Sequence, residues 1–345
     1  MRVLVTGGAG YLGSHTLLEL LGQGHEALVV DDFRNASPVA LERVRALSNG
    51  GAFGVERLDI RDAPRLVEAA RAFRPEAAIH FAGLKSVGES GARALDYWDV
   101  NVGGTVALLR ALEEAGCGLV IFSSSATVYG EPAEPRPFRE DDPVRPANVY
   151  GRTKAAAEAV LRDWAAAAPG RAALLLRYFN PVGAHASGRI GEDPRGVPEN
   201  LMPFLAQVAT GRRAALRIWG SDYPTPDGTG VRDYIHVEDL AEAHVAALAR
   251  ARHLAGAGGG AEAFNLGTGK GTSVLEMLRA FEAVVGRPLP HEMAPRRSGD
   301  VAEMRADCSR AAADLGWRAR RDLRAMVESL WRWQSANPDG YGTDG

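Results

Sequence analysis

Tyr150 and Lys154 stand four residues apart in the segment YGRTK. At helical spacing they share one face. A tyrosine ordinarily titrates near 10. A neighbouring ammonium favours the phenolate and lowers that value, which makes a base usable near neutral pH. Arginine, a bulkier fork than the compact ammonium, would serve less well. The chain carries 40 Lys and Arg residues, and the lysines among them are Lys85, Lys154 and Lys270. A lysine kept against such a bias points to lysine chemistry. Upstream, the segment FSSSATVYG places Ser125 and Thr127 where they could hydrogen-bond a hydroxyl that becomes a carbonyl. Tyr-x-x-x-Lys recurs by chance, so the serine segment is what gives it weight.

A second constellation lies at the N-terminus. The run Val3–Thr6 leads into Gly7-Gly8-Ala9-Gly10-Tyr11-Leu12-Gly13, with Gly7, Gly10 and Gly13 in G-x-x-G-x-x-G spacing at a strand-to-helix turn. Glycines there let the backbone approach a pyrophosphate, and the helix N-terminus offers free N–H groups to it. The next apolar run ends in Asp31 and Asp32. An acid at that point accepts from an adenosine ribose and repels a 2′-phosphate, favouring NAD over NADP. Arg34, close by, argues in the opposite direction, and Asp31 at the strand end carries more weight. An oxidised nicotinamide beside Tyr150 would add to the stabilisation of a phenolate. Asp59 and Ile60 follow another short strand, and HFAGLKSVGES brings Lys85 to a strand end. Strand ends on one edge of such a sheet line its ligand crevice.

These residues need a scaffold that collects strand ends. Strands are expected at Arg2–Thr6, Ala27–Val30, Ala77–Phe81, Leu119–Ser123 and Ala173–Tyr178. Helices are expected from Ser14, over Leu66–Phe73, as one long element over Tyr97–Ala115, and over Thr153–Ala168. This alternation implies an α/β fold with a doubly wound parallel sheet covered on both faces. Beyond Phe179 the composition turns to Gly, Pro and polar residues, which marks a smaller second domain. Helices are expected there at Leu201–Thr210, Val274–Val285 and Leu323–Trp333, and a strand at Leu216–Trp219. A further helix is expected at His236–Ala249, a flexible surface loop at His253–Ala263, and a frayed tail from Asn337. The expected division is residues 1–180 plus about 234–268 for the dinucleotide, 181–233 plus about 269–338 for a substrate, and 339–345 as tail.

The chain has 345 residues, a length that suits about two domains. A formal net charge of -3 gives no global basic field for nucleic acid or an anionic membrane. Cys117 and Cys308 make neither a disulfide framework nor a metal-ligand spacing, so no metal is expected. With no apolar signal-like or membrane-length run, a cytoplasmic protein is expected.

The strings VTGGAGYLGSH, HFAGLKSVGES, FSSSATVYG, YGRTK, LRYFNPVGAH, DYPTPDGTGVRDYIHVEDLA and APRRSGD run in order over most of the chain. Together they resemble the extended short-chain dehydrogenase/reductase superfamily and, within it, the nucleotide-sugar 4-epimerases. The resemblance implies a Rossmann-type domain with a smaller α/β C-terminal substrate domain. It also implies bound NAD and reversible C4 epimerisation of UDP-glucose and UDP-galactose through a transient 4-keto sugar, with the hydride held on NAD. Tyr150 would be the base, Lys154 its partner on the nicotinamide ribose, and Ser125 the donor to the sugar oxygen. Cofactor contacts would be Tyr11, Leu12, Asp31, Asp32, Asn35, Asp59, Ile60, Phe81, Ala82, Lys85, Ser125, Tyr150, Lys154 and Phe179. UDP-sugar contacts would be Asn180, Asn200, Leu201, Arg232, Arg297 and Asp300.

Arg232 and Arg297 are bidentate donors suited to a diphosphate. Trp219 is either a face for uracil or a core residue. Met304 stands where relatives shape the sugar pocket, and Val100 where they often carry Asn, although Asn101 follows. The resemblance further implies a homodimer through Leu95–Ala115 and Thr153–Ala168. Alternatives are 4-epimerisation of UDP-N-acetylhexosamines or UDP-pentoses, a nucleotide-sugar dehydratase, or a non-catalytic NAD sensor. A dehydratase needs an acid/base pair beside its Ser/Thr motif, and Ser124-Ser125-Ala126-Thr127 has none. A sensor would be expected to have lost Tyr150 or Lys154.

Overall fold

The structure is a computed structural model that describes residues 1–131, 136–198, 200–297 and 300–342. Its first half alternates strand and helix. These are β1 (Arg2–Thr6), α1 (Tyr11–Gly22), β2 (Glu26–Asp31), α2 (Pro38–Leu47), β3 (Phe53–Arg57), α3 (Ala63–Phe73) and β4 (Ala77–His80). Next come the short α4 (Val87–Ser90) and α5 (Ala94–Trp98), α6 (Gly104–Glu114), β5 (Leu119–Ser125), α7 (Val149–Ala166) and β6 (Ala172–Tyr178). The remainder comprises β7 (Asn180–Val182), α8 (Leu201–Ala209), β8 (Leu216–Trp219), β9 (Val231–His236), α9 (Val237–Gly256) and β10 (Gly260–Leu266). It closes with β11 (Gly271–Ser273), α10 (Val274–Val285), β12 (His291–Ala294), β13 (Glu303–Met304), α11 (Ser309–Asp314) and α12 (Leu323–Ala336).

Seven parallel strands form one sheet in the order β10-β6-β5-β4-β1-β2-β3. Its strands are apolar on both sides because both faces are covered. Val3, Val5, Val29, Ile79 and Ile121 point to one layer with α1, α2 and α9; Leu4, Val30, Ala78, Val120 and Phe122 point to the other with α3, α6 and α7. Chain order reverses between β1 and β4, so the loops leaving their C-terminal ends open a crevice. The smaller part pairs β9 with β7, β11 and β13 and, separately, β8 with β12. Its core gathers Met202, Leu205, Phe281, Leu330 and Trp333.

Three expectations are corrected. His253–Ala263 is not a loop: α9 runs to Gly256, and Gly260–Ala263 begin β10, paired with β6 from Gly260↔Ala172 onward. Gly258, Gly259 and Gly260 take positive φ, so this glycine run is a tight turn into the sheet. Tyr97–Ala115 is not one regular helix, because a π-helical turn at Asp99–Gly103 separates α5 from α6. Asn337–Gly342 do not fray: Tyr341 packs 4.8 Å from the Trp333 ring and donates its backbone N–H to Asp193 at 2.9 Å. Residues 343–345 of the expected tail lie outside the described residues.

Candidate active site

The reactive centre forms where β5 hands over to α7. Asn148 caps α7 by accepting from the Gly151 N–H at 2.8 Å, which sets the first turn. Gly151 lets that turn abut the serine segment, since a Cβ there would lie 2.7 Å from the Thr127 carbonyl oxygen. Tyr150, Lys154 and Ser125 are thereby brought together and buried. Thr127 donates to Ser125 Oγ through both its N–H, at 3.2 Å, and its hydroxyl, at 3.0 Å. The Lys154 ammonium lies 5.9 Å from the Tyr150 ring centre and donates to the Ser123 carbonyl at 2.8 Å.

Here the electrostatics depart from the sequence reading. Burial, with the Tyr178 phenol nearby, raises Tyr150 well above 10, and the opposing hydrogen bond from Ser125 does not overcome it. Burial also brings Lys154 down to about 8, against the pull of Glu158. Within the chain alone, burial thus opposes ionisation of Tyr150, and a positive charge brought beside it would favour the phenolate.

The dinucleotide side is built from the other strand ends. Gly7 takes φ +69°, and a Cβ there would lie 2.7 Å from the Ala82 nitrogen. A Cβ on Gly13 would strike the Gly7 carbonyl. The turn from Gly7 through Gly10 to Gly13 packs backbone on backbone too closely for side chains, and α1 begins at Tyr11 and Leu12 with no side-chain cap on its N–H groups. That shape fits a pyrophosphate. Asp31, buried at the end of β2, accepts from Ala9 N–H at 3.0 Å and Phe33 N–H at 2.9 Å. Desolvation raises its pKa.

Arg34, which argued for NADP, reaches Asp32 at 3.4 Å and Asp59 at 3.2 Å. Its guanidinium is already held by carboxylates. Asp59, mainly through its hydrogen bond with Arg61, falls to about 2. Asn35 is exposed beside this cluster and Ile60 is buried under Gly104. Phe81 and Ala82 follow β4, and both donate N–H bonds to the Thr6 carbonyl. Phe179 follows β6 and is buried.

The expected sugar contacts fall on the smaller part. Asn180 starts β7 and pairs with Tyr234. Arg232 and Met304 are register partners on β9 and β13. Trp219 is not a core residue: at the end of β8 it is 36% exposed, with Arg297 5.8 Å from its ring. Arg297 in turn bonds Asp300 at 2.9 Å. Asn200 precedes α8 and Leu201 opens it; the Asn200 side chain makes no cap bond there.

Sequence reasoning missed three supports. Val100 is buried, and the π turn aims Asn101 inward, where it accepts from Leu84 N–H at 2.7 Å and donates to Leu84 O and Thr153. The loop carrying Lys85 is thus pinned to α7; Asn101 itself, next to Val100, was the available signal. Lys85 pairs with the buried carboxylate of Glu192 at 3.1 Å. Beneath the serine segment, Arg177 and Glu158 form a buried bidentate pair, and Ser124 donates to the same carboxylate at 2.6 Å.

A model of the NAD dependent epimerase/dehydratase family matches residues 3–267. The chain belongs to that family. Among its relatives is the UDP-glucose 4-epimerase of Bacillus subtilis, 51% identical over 341 residues, covering 99% of each chain. A crystal structure of UDP-glucose-4-epimerase from Stenotrophomonas maltophila with bound NAD and formylated UDP-arabinopyranose superposes with TM-score 0.94 at 48% identity, covering 98% of this chain and 99% of that one. One from Bifidobacterium longum in complex with NAD+ and UDP gives TM-score 0.93 at 46% identity, covering 99% and 100%. Like the rest of its family, this member depends on NAD. No helix among the described residues is long and apolar enough to cross a membrane.

Proposed function

We propose that the protein interconverts UDP-glucose and UDP-galactose at C4. The carrying observation is the buried Tyr150–Lys154–Ser125 cluster at the end of β5, on the same parallel sheet as the glycine turn after β1, in a chain about half identical to UDP-glucose 4-epimerases end to end. When bound, NAD supplies a reversible hydride acceptor and a positive charge, and the transient sugar is a 4-ketone. Gly7, Gly10, Gly13, Tyr11 and Leu12 hold the pyrophosphate end. Asp31, Asp32, Asn35, Asp59 and Ile60 hold the adenosine end; Phe81, Ala82, Lys85 and Phe179 close the remaining side.

Tyr150 takes the proton from the sugar 4-hydroxyl and returns it. Ser125, oriented by Thr127, donates to the same oxygen as it becomes a carbonyl. Lys154, braced on Ser123, orients the nicotinamide ribose. Arg232 and Arg297 grip the diphosphate, Asp300 accepts from a hydroxyl, and Trp219 offers its exposed face to uracil. Asn180, Asn200 and Leu201 complete the sugar side, with Met304 on its wall. The division into residues 1–180 plus about 234–268 and 181–233 plus about 269–338 follows from these roles. β9 is an exception, because Val231–His236 joins the smaller sheet throughout.

The elimination chemistry of a dehydratase is not favoured. Among the described residues, the carboxylate bonded to the serine segment, Glu158, is neutralised by Arg177. The test is incubation of purified protein with UDP-galactose without added cofactor. UDP-glucose should form, and a folded, NAD-loaded protein that forms none would refute the assignment. The protein works in the cytoplasm as a homodimer on this reading. Leu95 is 83% and Trp98 39% exposed on α5, beside α7, an apolar face suited to a second copy. Leu95→Glu should shift sedimentation from dimer to monomer; an unchanged dimer would place the interface elsewhere.

A further inference from the structure

Between the two halves runs a strap, residues 183–195, which the roles above leave unused. Several bonds tie it to the dinucleotide half. Tyr11 Oη donates to the Gly183 carbonyl at 2.7 Å, Lys85 pairs with Glu192, Arg43 of α2 donates to the Arg189 carbonyl at 2.9 Å, and Arg195 donates to the Ala36 carbonyl at 3.2 Å. Two of these partners, Tyr11 and Lys85, are themselves assigned to NAD. The strap is therefore bonded directly to two side chains of the proposed cofactor site.

The other edge of the strap is gripped by the chain's C-terminal segment. Trp333 lies so close to Gly191 that a Cβ there would enter the indole, and its Nε1–H donates to the Glu192 carbonyl at 3.2 Å. Tyr341 Oη accepts from Gly191 N–H at 3.2 Å and donates to the Gly191 carbonyl at 3.1 Å. Arg43 closes the ring. Its guanidinium lies 5.4 Å from the Trp333 ring and 5.0 Å from the Tyr341 ring, and it donates to Asn337 Oδ1 at 2.7 Å. One cation from the dinucleotide half is thus enclosed by two aromatic faces of the C-terminal segment, a contact worth more when desolvated. Glu192 sits at the focus. Its backbone is fixed by Trp333, its side chain is 7% exposed, and its charge is directed at Lys85.

We infer that Trp333, Tyr341 and Arg43 form a clasp that holds the strap in place so that Glu192 positions Lys85, and that this clasp sets how slowly NAD leaves the protein. It rests on the reading that Tyr11 and Lys85 belong to the NAD site. Glu192 and Tyr341 are positioning residues and touch no reacting atom. The clasp gives an otherwise peripheral C-terminus a part in a reaction whose net redox change is zero, where a cofactor that stays bound is an advantage.

The experiment uses the full-length NAD-loaded protein. Tyr341→Ala and Glu192→Gln are each dialysed, and acid-released NAD is quantified over time, with circular dichroism as the folding control. Both variants should lose NAD at least about tenfold faster than the wild type, the change that follows from about 1.4 kcal/mol in one charged or ring contact. Turnover should return to the wild-type level when NAD is supplied in excess, an outcome that a general loss of packing would not give. Tyr341→Phe, which keeps the ring over Arg43, should fall between. If Tyr341→Ala does not fold, Glu192→Gln decides. NAD retention equal to wild type in Glu192→Gln, or lost turnover that excess NAD does not restore, would overturn the clasp. Loss of turnover in Tyr150→Phe would stand unaffected, so the two ideas fail separately.

Discussion

The β5–α7 junction and the β8–β12 edge are assigned to opposite ends of one nucleotide sugar, yet they are built in different ways. At the junction Tyr150, Lys154 and Ser125 are buried, braced by Ser123, Thr127 and Asn148, and backed by the Arg177–Glu158 pair. At the edge Arg297 is half exposed and meets Asp300 and Trp219 in solvent. The chemistry is preorganised, because misplacing a base costs rate. On the proposed roles the nucleotide grip is loose, because exposed ion pairs contribute little until a ligand desolvates them.

The contrast can be broken most forcefully at the junction. Tyr150→Phe keeps shape but removes the proton acceptor, so kcat should fall by about 10²–10⁴-fold with NAD content unchanged in an acid-release assay. A near-normal rate would remove Tyr150 from its role. Next, Glu158→Ala leaves Arg177 buried without its carboxylate, which should cost about 3–5 kcal/mol in urea unfolding; a loss under 1 kcal/mol would show the junction to be less rigid than described.

At the edge, Arg297→Ala should leave the urea midpoint and kcat near wild type but raise KM for UDP-galactose by about 10–100-fold, from loss of a charged hydrogen bond of about 1.5–3 kcal/mol. A fall in stability there would erase the contrast. The smallest effect concerns acid. Burial lowers His15 and His244 to about 4, and His80 and His236 to about 3. An unfolded chain takes up protons at these histidines below about 6.5, and the folded one does not. Their contribution is present above pH 6.5 and lost as pH falls toward 4 and 3. His236→Asn should flatten the pH dependence of the urea midpoint over pH 6 to 4, by up to about 1.4 kcal/mol per pH unit; an unaltered slope would mean that His236 takes no part.

Legibility in the sequence followed the range of the interactions. Local signals located the glycine turn, the strand ends and the Tyr150–Lys154 face, and β1, β8 and α10 have the expected bounds. Long-range effects stayed hidden. Gly258–Gly260 read as a loop because the partner that makes residues from Gly260 a strand, Ala172 onward, lies far away in the chain. Tyr341 read as tail because its partners, Gly191 and Asp193, are about 150 residues distant. Spacing placed Lys154 on the face of Tyr150 but could not show that its ammonium donates to the Ser123 carbonyl, nor that burial raises the Tyr150 phenol. Asn101 was visible as a residue, but its use depends on a π turn that no periodicity announces.

The central claim is that this buried junction removes and restores hydrogen at C4 with cofactor already in place. UDP-galactose bearing deuterium at C4, turned over in ordinary water without added NAD, tests it most directly. The label should be retained at C4 of the UDP-glucose formed. Label exchanged into solvent, or no product from NAD-loaded protein, would contradict the account.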